Sequence, residues 1–295
     1  MIFLTIALLV VMEVSLSFDN AIVNASVLRN MSETWRHRFL VYGLPIAVFG
    51  TRLVLPVAIV AIASGLGMIE VFNMAWSAPE EYSARLIESH TAISSFGGVF
   101  LLMVFFNYML SGDKEHHWLP FERYMACNIN GIGAALVCAI LLALQYAIPE
   151  AHRLDSLFAG VIGLLTYLAV KGVMGDGHGV AASGLTGFIY LEVLDASFSL
   201  DGVIAAFAMT NNIIVIMIGL GIGAGVIRSM TISLVRKGTL EEYQYLEHGA
   251  HWGIGSLGFL ILASTLTPIP ELVTGLVALG FIGASFLSSL KAKAA

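Results

Sequence analysis

Glu13-Val14-Ser15-Leu16-Ser17-Phe18-Asp19-Asn20 decides how this chain is read. Two carboxylates and an amide sit inside a hydrophobic run, residues 1–28, that is long enough to cross a bilayer. A carboxylate at that depth costs about 2.5–3.5 kcal/mol on insertion scales, so its presence points to a use. The wording returns, loosely, as Glu192-Val193-Leu194-Asp195-Ala196-Ser197-Phe198-Ser199-Leu200-Asp201-Gly202, again within a hydrophobic run.

The surrounding composition agrees with a membrane setting. The 295 residues are 58% hydrophobic and 12% charged, against roughly 45–50% and 25% in soluble domains. The expected fold is all-α: a polytopic protein forming a single integral membrane domain over residues 1–295, with the lipid bilayer as its main partner. The net charge of −6 comes with no basic patch, which excludes a nucleic-acid partner. Cys127 and Cys138 share one apolar segment and suggest neither a disulfide framework nor a zinc spacing. Residues 1–12 lack a basic start and a small-residue cleavage site, so a retained helix is expected there.

At about 20 apolar residues per crossing, nine spans are expected. They cover residues 1–28, 39–64, 91–110, 124–148, 155–174, 182–210, 212–235 and 248–266, with a ninth ending near Leu290. The connection holding Glu70, Glu80, Glu81 and Glu88 also holds Trp76 and Tyr82, residues suited to a membrane interface. Lys and Arg concentrate after the first, third and seventh spans and at the C-terminus. The positive-inside rule then puts the N-terminus outside and the C-terminus in the cytoplasm. The expected location is a bacterial inner (plasma) membrane.

The span after each acidic motif carries an arginine, Arg52 in Gly50-Thr51-Arg52 and Arg228 in Gly225-Val226-Ile227-Arg228. This defines an internal repeat, unit one at about residues 1–111 and unit two at about 182–268. Three spans lie between the two acidic-plus-arginine pairs, which are the first and second spans and the sixth and seventh, so the units should be inverted, the arrangement of many secondary transporters.

Helix geometry constrains the carboxylates. Glu192 and Asp195 share a face, whereas Asp201 lies about 180° from Glu192 and roughly 13 Å along the axis. Glu13 and Asp19 differ by about 120°. Either the helices are interrupted near Ser15-Leu16-Ser17 and Ser197-Phe198-Ser199, or the carboxylates are successive stations on a path. Carboxylates and amide oxygens are hard ligands that suit magnesium, calcium or manganese, and neither motif holds Cys or His.

A plainer reading stands beside this one: the acids pair with Arg52 and Arg228 and hold the bundle together. Five carboxylates against two arginines still leave negative charge for a cation or protons to fill. Other polar residues read as structure. Asn24 either lines a path or bonds a neighbour; Asn107, Asn128 and Asn130 suggest interhelical bonds. His116, His117, His248 and His251 suggest solvation at the membrane edge, and Gly177-His178-Gly179 a loop. Gly131, Gly133 and the Gly219, Gly221, Gly223 and Gly225 series suggest close helix packing.

Glu13 through Asp19-Asn20 resembles the first acidic motif of the TerC family of integral membrane proteins. Glu192, Asp195, Phe198 and Asp201 resemble its second motif at the same spacing, and Arg52 and Arg228 its arginines. Tyr245-Leu246-Glu247-His248-Gly249 resembles the start of a later helix of that family. The resemblance is greatest to a branch catalogued as a membrane domain of unknown function. One departure is Gly202, where the family often has Ser. The resemblance implies export of a divalent cation, most often manganese, with a link to tellurium-oxyanion resistance. It implies that Glu13, Asp19, Asn20, Glu192, Asp195 and Asp201 bind or pass the ion.

The leading expectation is thus a transporter carrying Mn2+ as cargo, with no permanently bound cofactor and with protons as a candidate coupling ion. The alternative is a non-transporting membrane subunit of a stress-resistance or metal-homeostasis complex. An aspartyl enzyme is not expected, since paired Asp residues have no evident third catalytic group. No P-loop is present, and nothing in the sequence fixes the oligomeric state.

Overall fold

The computed structural model describes residues 2–112, 114, 116–126, 131–174 and 184–294; at 63, 173, 174, 200, 201, 208, 271 and 294 it describes the backbone alone. Among the described residues every regular element is a helix. In chain order these are α1 (Ile2–Leu16), α2 (Phe18–Leu28), α3 (Glu33–Val41), α4 (Gly43–Pro45), a π-helical segment (Ile46–Val54), α5 (Leu55–Ser64), α6 (Met68–Ser77) and α7 (Pro79–Glu88). There follow α8 (His90–Met109), α9 (Glu122–Met125), α10 (Ile132–Ala147), α11 (Glu150–Met174) and α12 (Leu185–Met209). The chain closes with α13 (Ile213–Arg236), α14 (Thr239–Glu242), α15 (Leu246–Ser264) and α16 (Glu271–Ala294).

Among the described residues, five helical stretches are long and apolar enough to cross a membrane: Glu33–Ile62, His90–Met109, Glu150–Gly172, Ile213–Arg236 and Leu272–Lys293. A sixth is the bent pair α1–α2 if it is counted as one span. The chain is therefore a helical membrane protein. The other three expected spans exist as helices but fall short of that standard. α10 has only 16 residues. No 18-residue stretch of α12 avoids Glu192, Asp195 and Asp201, and α15 opens with Glu247, His248 and His251.

α8 forms the centre. It is apolar on all sides and the most deeply buried of the five spans, as a helix without a polar face must be. α10, α11, α12 and α15 pack around it. The acidic connection before it is helical rather than a loop. Trp76 on α6 stays exposed, in keeping with an interface, but Tyr82 on α7 is buried edge-to-face on Phe207, with centroids 5.4 Å apart.

The first acidic helix breaks where its serines predict, and α2 leaves α1 at 54°. Ser17 Oγ donates to Glu13 Oε1 at 3.3 Å, and Asn20 N donates to Asp19 Oδ1 at 2.9 Å, where a continuous helix would use the Leu16 carbonyl. Short polar side chains have here replaced part of the backbone ladder. The second acidic helix does not break. α12 runs through Ser197-Phe198-Ser199, and Ser197 Oγ donates back to the Val193 carbonyl at 3.0 Å without disturbing the ladder.

Arg36 and Arg38, expected in a loop, lie in α3. Arg36 caps the end of α2, its Nε donating to the Leu28 carbonyl at 3.1 Å and its Nη2 to the Arg29 carbonyl at 2.7 Å. These are carbonyls that a helix end leaves unpaired. Further along, Pro45 and Pro56 bracket the π segment. Proline removes backbone donors, and a wide turn at such a place often marks a functional site.

The α13 glycines do allow close packing, as expected. A Cβ on Gly219 would lie 2.6 Å from Leu9 Cβ, and one on Gly223 would lie 2.5 Å from Glu13 Cγ, so α13 lies directly along α1. Gly131 does not pack; it has φ 83° and starts α10. The α13 contact sets a test. Gly223→Ala overpacks the contact and should cost about 1–3 kcal/mol. Gly225→Ala, whose Cβ would sit 3.8 Å from Leu44, should be neutral. Thermal unfolding of the two purified variants compares them.

Candidate functional site

The two motifs meet. Asn20 Nδ2 on α2 donates to Asp195 Oδ1 on α12 at 2.8 Å. Each arginine pairs with the acids of its own motif. Arg228 donates through Nη1 to Glu192 Oε1 at 3.0 Å, and through Nη2 to Glu192 Oε2 at 3.0 Å and Asp195 Oδ2 at 3.1 Å. Its Nη1 also reaches the Phe39 carbonyl at 3.1 Å, and the guanidinium stacks 4.3 Å from the Phe39 ring. The planar fork of arginine suits this set of acceptors. Arg52 pairs through Nη2 with Glu13 Oε1. Its Nη1 donates to the Ala47 carbonyl at 2.9 Å, five residues back across the π segment, and Thr51 Oγ1 donates to the same carbonyl at 2.7 Å.

Packing makes the pairs possible. A side chain at Gly43 would run into Arg228 Nη1 and Glu192 Oε1, and a Cβ on Gly202 would lie 3.3 Å from Glu13 Oε2. α1 lies along α13, and α12 along the π segment, so each acidic helix packs on the arginine-bearing segment of the other motif.

The expected ligand residues thus divide. Glu13, Glu192 and Asp195 are committed to arginine. Asp201 has its backbone on α12, and its side chain lies outside the described residues. Among the described residues no three of His, Cys, Asp and Glu converge as a metal cage.

Asp19 is different. It is 1% exposed, and among the described residues its Oδ2 has no hydrogen-bond partner. It sits in the first turn of α2, where the helix dipole favours an anion. Asn20 Oδ1 and Asn24 Oδ1 on the same short helix are also buried with no partner among the described residues, as is Ser199 Oγ on α12. Unpaired buried acceptors are costly and call for an occupant. These oxygens fit a hard cation and do not fit an anion or a soft metal.

A second polar cluster lies away from the first. Glu122 on α9 is 0% exposed. Its Oε1 accepts from Trp252 Nε1 at 2.7 Å, its Oε2 accepts from Trp118 N at 2.9 Å, and His248 Nδ1 stands 2.8 Å from Oε2. His248 and His251 were expected at the solvated membrane edge. Both are buried instead, His251 stacked on Tyr108 with ring centroids 3.6 Å apart. A pair of His residues one turn apart can bury one face when a carboxylate and an aromatic ring receive it. Burial pushes the Glu122 carboxyl up, but the contacts from His248, Trp252 and Trp118 N outweigh it and hold the group below the usual range.

The remaining expectations sort simply. Asn107 Oδ1 accepts from Lys171 Nζ at 2.5 Å, an interhelical bond. Asn128, Asn130, Cys127 and Gly177-His178-Gly179 lie outside the described residues.

The family model described as "Protein of unknown function (DUF475)" matches residues 18–295. The chain belongs to this family. The DUF475 match spans Asp19, Asn20, both arginines, the second acidic motif and Glu122, and it begins just past Glu13. No curated protein and no solved structure gave a match.

The division of the acids has consequences for stability. Arg228→Met strands two buried carboxylates and should cost about 3–5 kcal/mol. Adding Glu192→Gln and Asp195→Asn to it should restore much of that loss. Asp19→Asn removes a charge with no cationic partner, so it should leave stability unchanged or raised. Thermal unfolding in one detergent checks all three; a strongly destabilised Asp19→Asn would show an unrecognised partner.

Proposed function

We propose that this DUF475 protein is a membrane transporter of a hard divalent cation, and that manganese, moved outward, is its cargo. One observation carries the reading. Asp19, buried and with no cationic partner among the described residues, sits just past a helix break, and the amide oxygens of Asn20 and Asn24 on the same half-helix have no partner among them either. An ion that gives up water at the bilayer centre needs oxygens held ready to replace it, and broken helices supply them in transporters. Asp19 Oδ2 and the two amides would bind the cation first. The arginine–acid pairs keep the surrounding helices in place, and the two arginines offset part of the negative charge.

The resemblance to TerC proteins supports manganese and supports export. Nine spans, an inverted repeat of units 1–111 and 182–268, and a cytoplasmic C-terminus in a bacterial inner membrane belong to the same proposal. A helix at each of the nine expected positions supports it. So does the cross-packing of each acidic helix on the other motif's arginine segment. Protons are the proposed coupling ion. The rival reading, a non-transporting subunit, draws on the arginine pairing of three of the acids.

Proteoliposomes of known orientation holding only this chain decide between them. Manganese, zinc, calcium and magnesium uptake would be followed with and without a proton gradient. Transport predicts manganese accumulation, lost at least tenfold in Asp19→Asn while the protein stays folded. No flux of any ion from folded wild-type protein would favour the subunit reading.

A further inference from the structure

The Glu122 cluster has no part in the cation reading, yet it is fully built. A carboxylate with no exposed surface is met by an indole N–H, a backbone N–H and an imidazole nitrogen. It joins two distant parts of the chain: Trp118 and Glu122 belong to the connection after α8, and His248 and Trp252 to α15. The network extends further. Glu247, next to His248, pairs with Arg29 at the end of α2 at 3.2 Å, and Tyr108 on α8 packs edge-to-face on His248 at 5.4 Å.

We propose that Glu122 and His248 form a proton-binding site, which latches the connection spanning residues 116–126 onto α15. The chemistry is direct. A bare imidazole nitrogen and a carboxylate oxygen 2.8 Å apart repel, so a proton belongs between them. With a neutral imidazole the pair carries one negative charge in a buried place; with an imidazolium it carries none. Burial favours the uncharged total. The pair therefore takes one proton from water, and the latch is tighter with it than without it.

Several other groups face the pair. Tyr108 comes from α8, Lys114 and His117 from the connection, Arg123 from α9, Glu247 and His251 from α15, and Arg29 from the end of α2. Lys114 Nζ is spent on the Tyr108 and Met109 carbonyls, at 3.1 and 2.8 Å, and Arg29 on Glu247. Burial holds Lys114 below its usual range, and burial with the nearby Lys114 charge does the same to His117. Neither of them replaces His248 as the partner of Glu122. The carboxyl itself is held low. Its contribution is therefore present above the ordinary carboxylate range and is lost only as pH falls through that lowered value.

Two tryptophans report the site. In full-length protein with Trp35→Phe and Trp76→Phe, the remaining Trp118 and Trp252 both contact Glu122. Emission scanned from about pH 5 to about pH 9 should show a one-proton transition. Glu122→Gln and His248→Asn should each abolish it, while His117→Gln and His251→Gln should keep it. Trypsin supplies a second reading that survives a poorly folding Glu122 variant. In wild type, cleavage at Arg123, normalised to cleavage at Lys237, should rise several-fold with pH across the transition, and in His248→Asn it should be fast at every pH. A transition unchanged by His248→Asn, or none in folded wild type, overturns the proposal. None of these readings needs cation flux, so failure here and failure of the transport reading are separate results.

Discussion

A charge in a low-dielectric interior must be matched, and most of this structure follows from how its buried charges are matched. Breaking a buried ion pair costs several kcal/mol, and so does each charge left alone. Arg228 reaches two carboxylates and a backbone carbonyl; Arg52 reaches one carboxylate and a carbonyl within its own π segment. Both helix partners of each arginine must stay in register for this to hold. The glycines at 43, 202 and 223 leave the space, and the wide turn between two prolines sets the phase of Arg52. Among the described side chains Asp19 is left over with an open oxygen, and that remainder is the reason to look for a cation.

Much of this was legible in the sequence, for physical reasons. Carboxylates in hydrophobic runs are expensive enough to be conspicuous, and an arginine in the next span is the natural partner. Ser15 and Ser17 around the first motif foretold the break, because short polar side chains within a helical run compete for its backbone groups. The same cue failed at Ser197 and Ser199. A serine can bond one turn back inside an intact helix, and the sequence does not say which option wins. Three expected spans proved too short or too polar to qualify by length and apolarity alone. A helix packed against other helices needs less apolar surface than one facing lipid.

The π segment and Glu122 were not foreseen. Two prolines 11 positions apart suggest a kink, not a widened turn holding an arginine. Glu122 stood in a stretch of polar and aromatic residues that reads as a solvated loop. Its burial depends on α15, more than 100 positions away, and on His248 and Trp252 lying one turn apart there. The histidines were visible, but their company was not, and a lone imidazole says little until its neighbours are known.

The bond from Asn20 to Asp195 joins more than two side chains. Asp19 Oδ1 accepts from the Asn20 backbone, the Asn20 amide donates to Asp195 Oδ1, and Asp195 Oδ2 accepts from Arg228. Asn20 donates both ways, by its backbone N–H to Asp19 and by its side-chain amide to Asp195, and so ties the open carboxylate of α2 to an arginine on α13. Both bonds hang on Asn20, so a turn of α2 at its break would shift the Asp195 carboxylate that Arg228 holds.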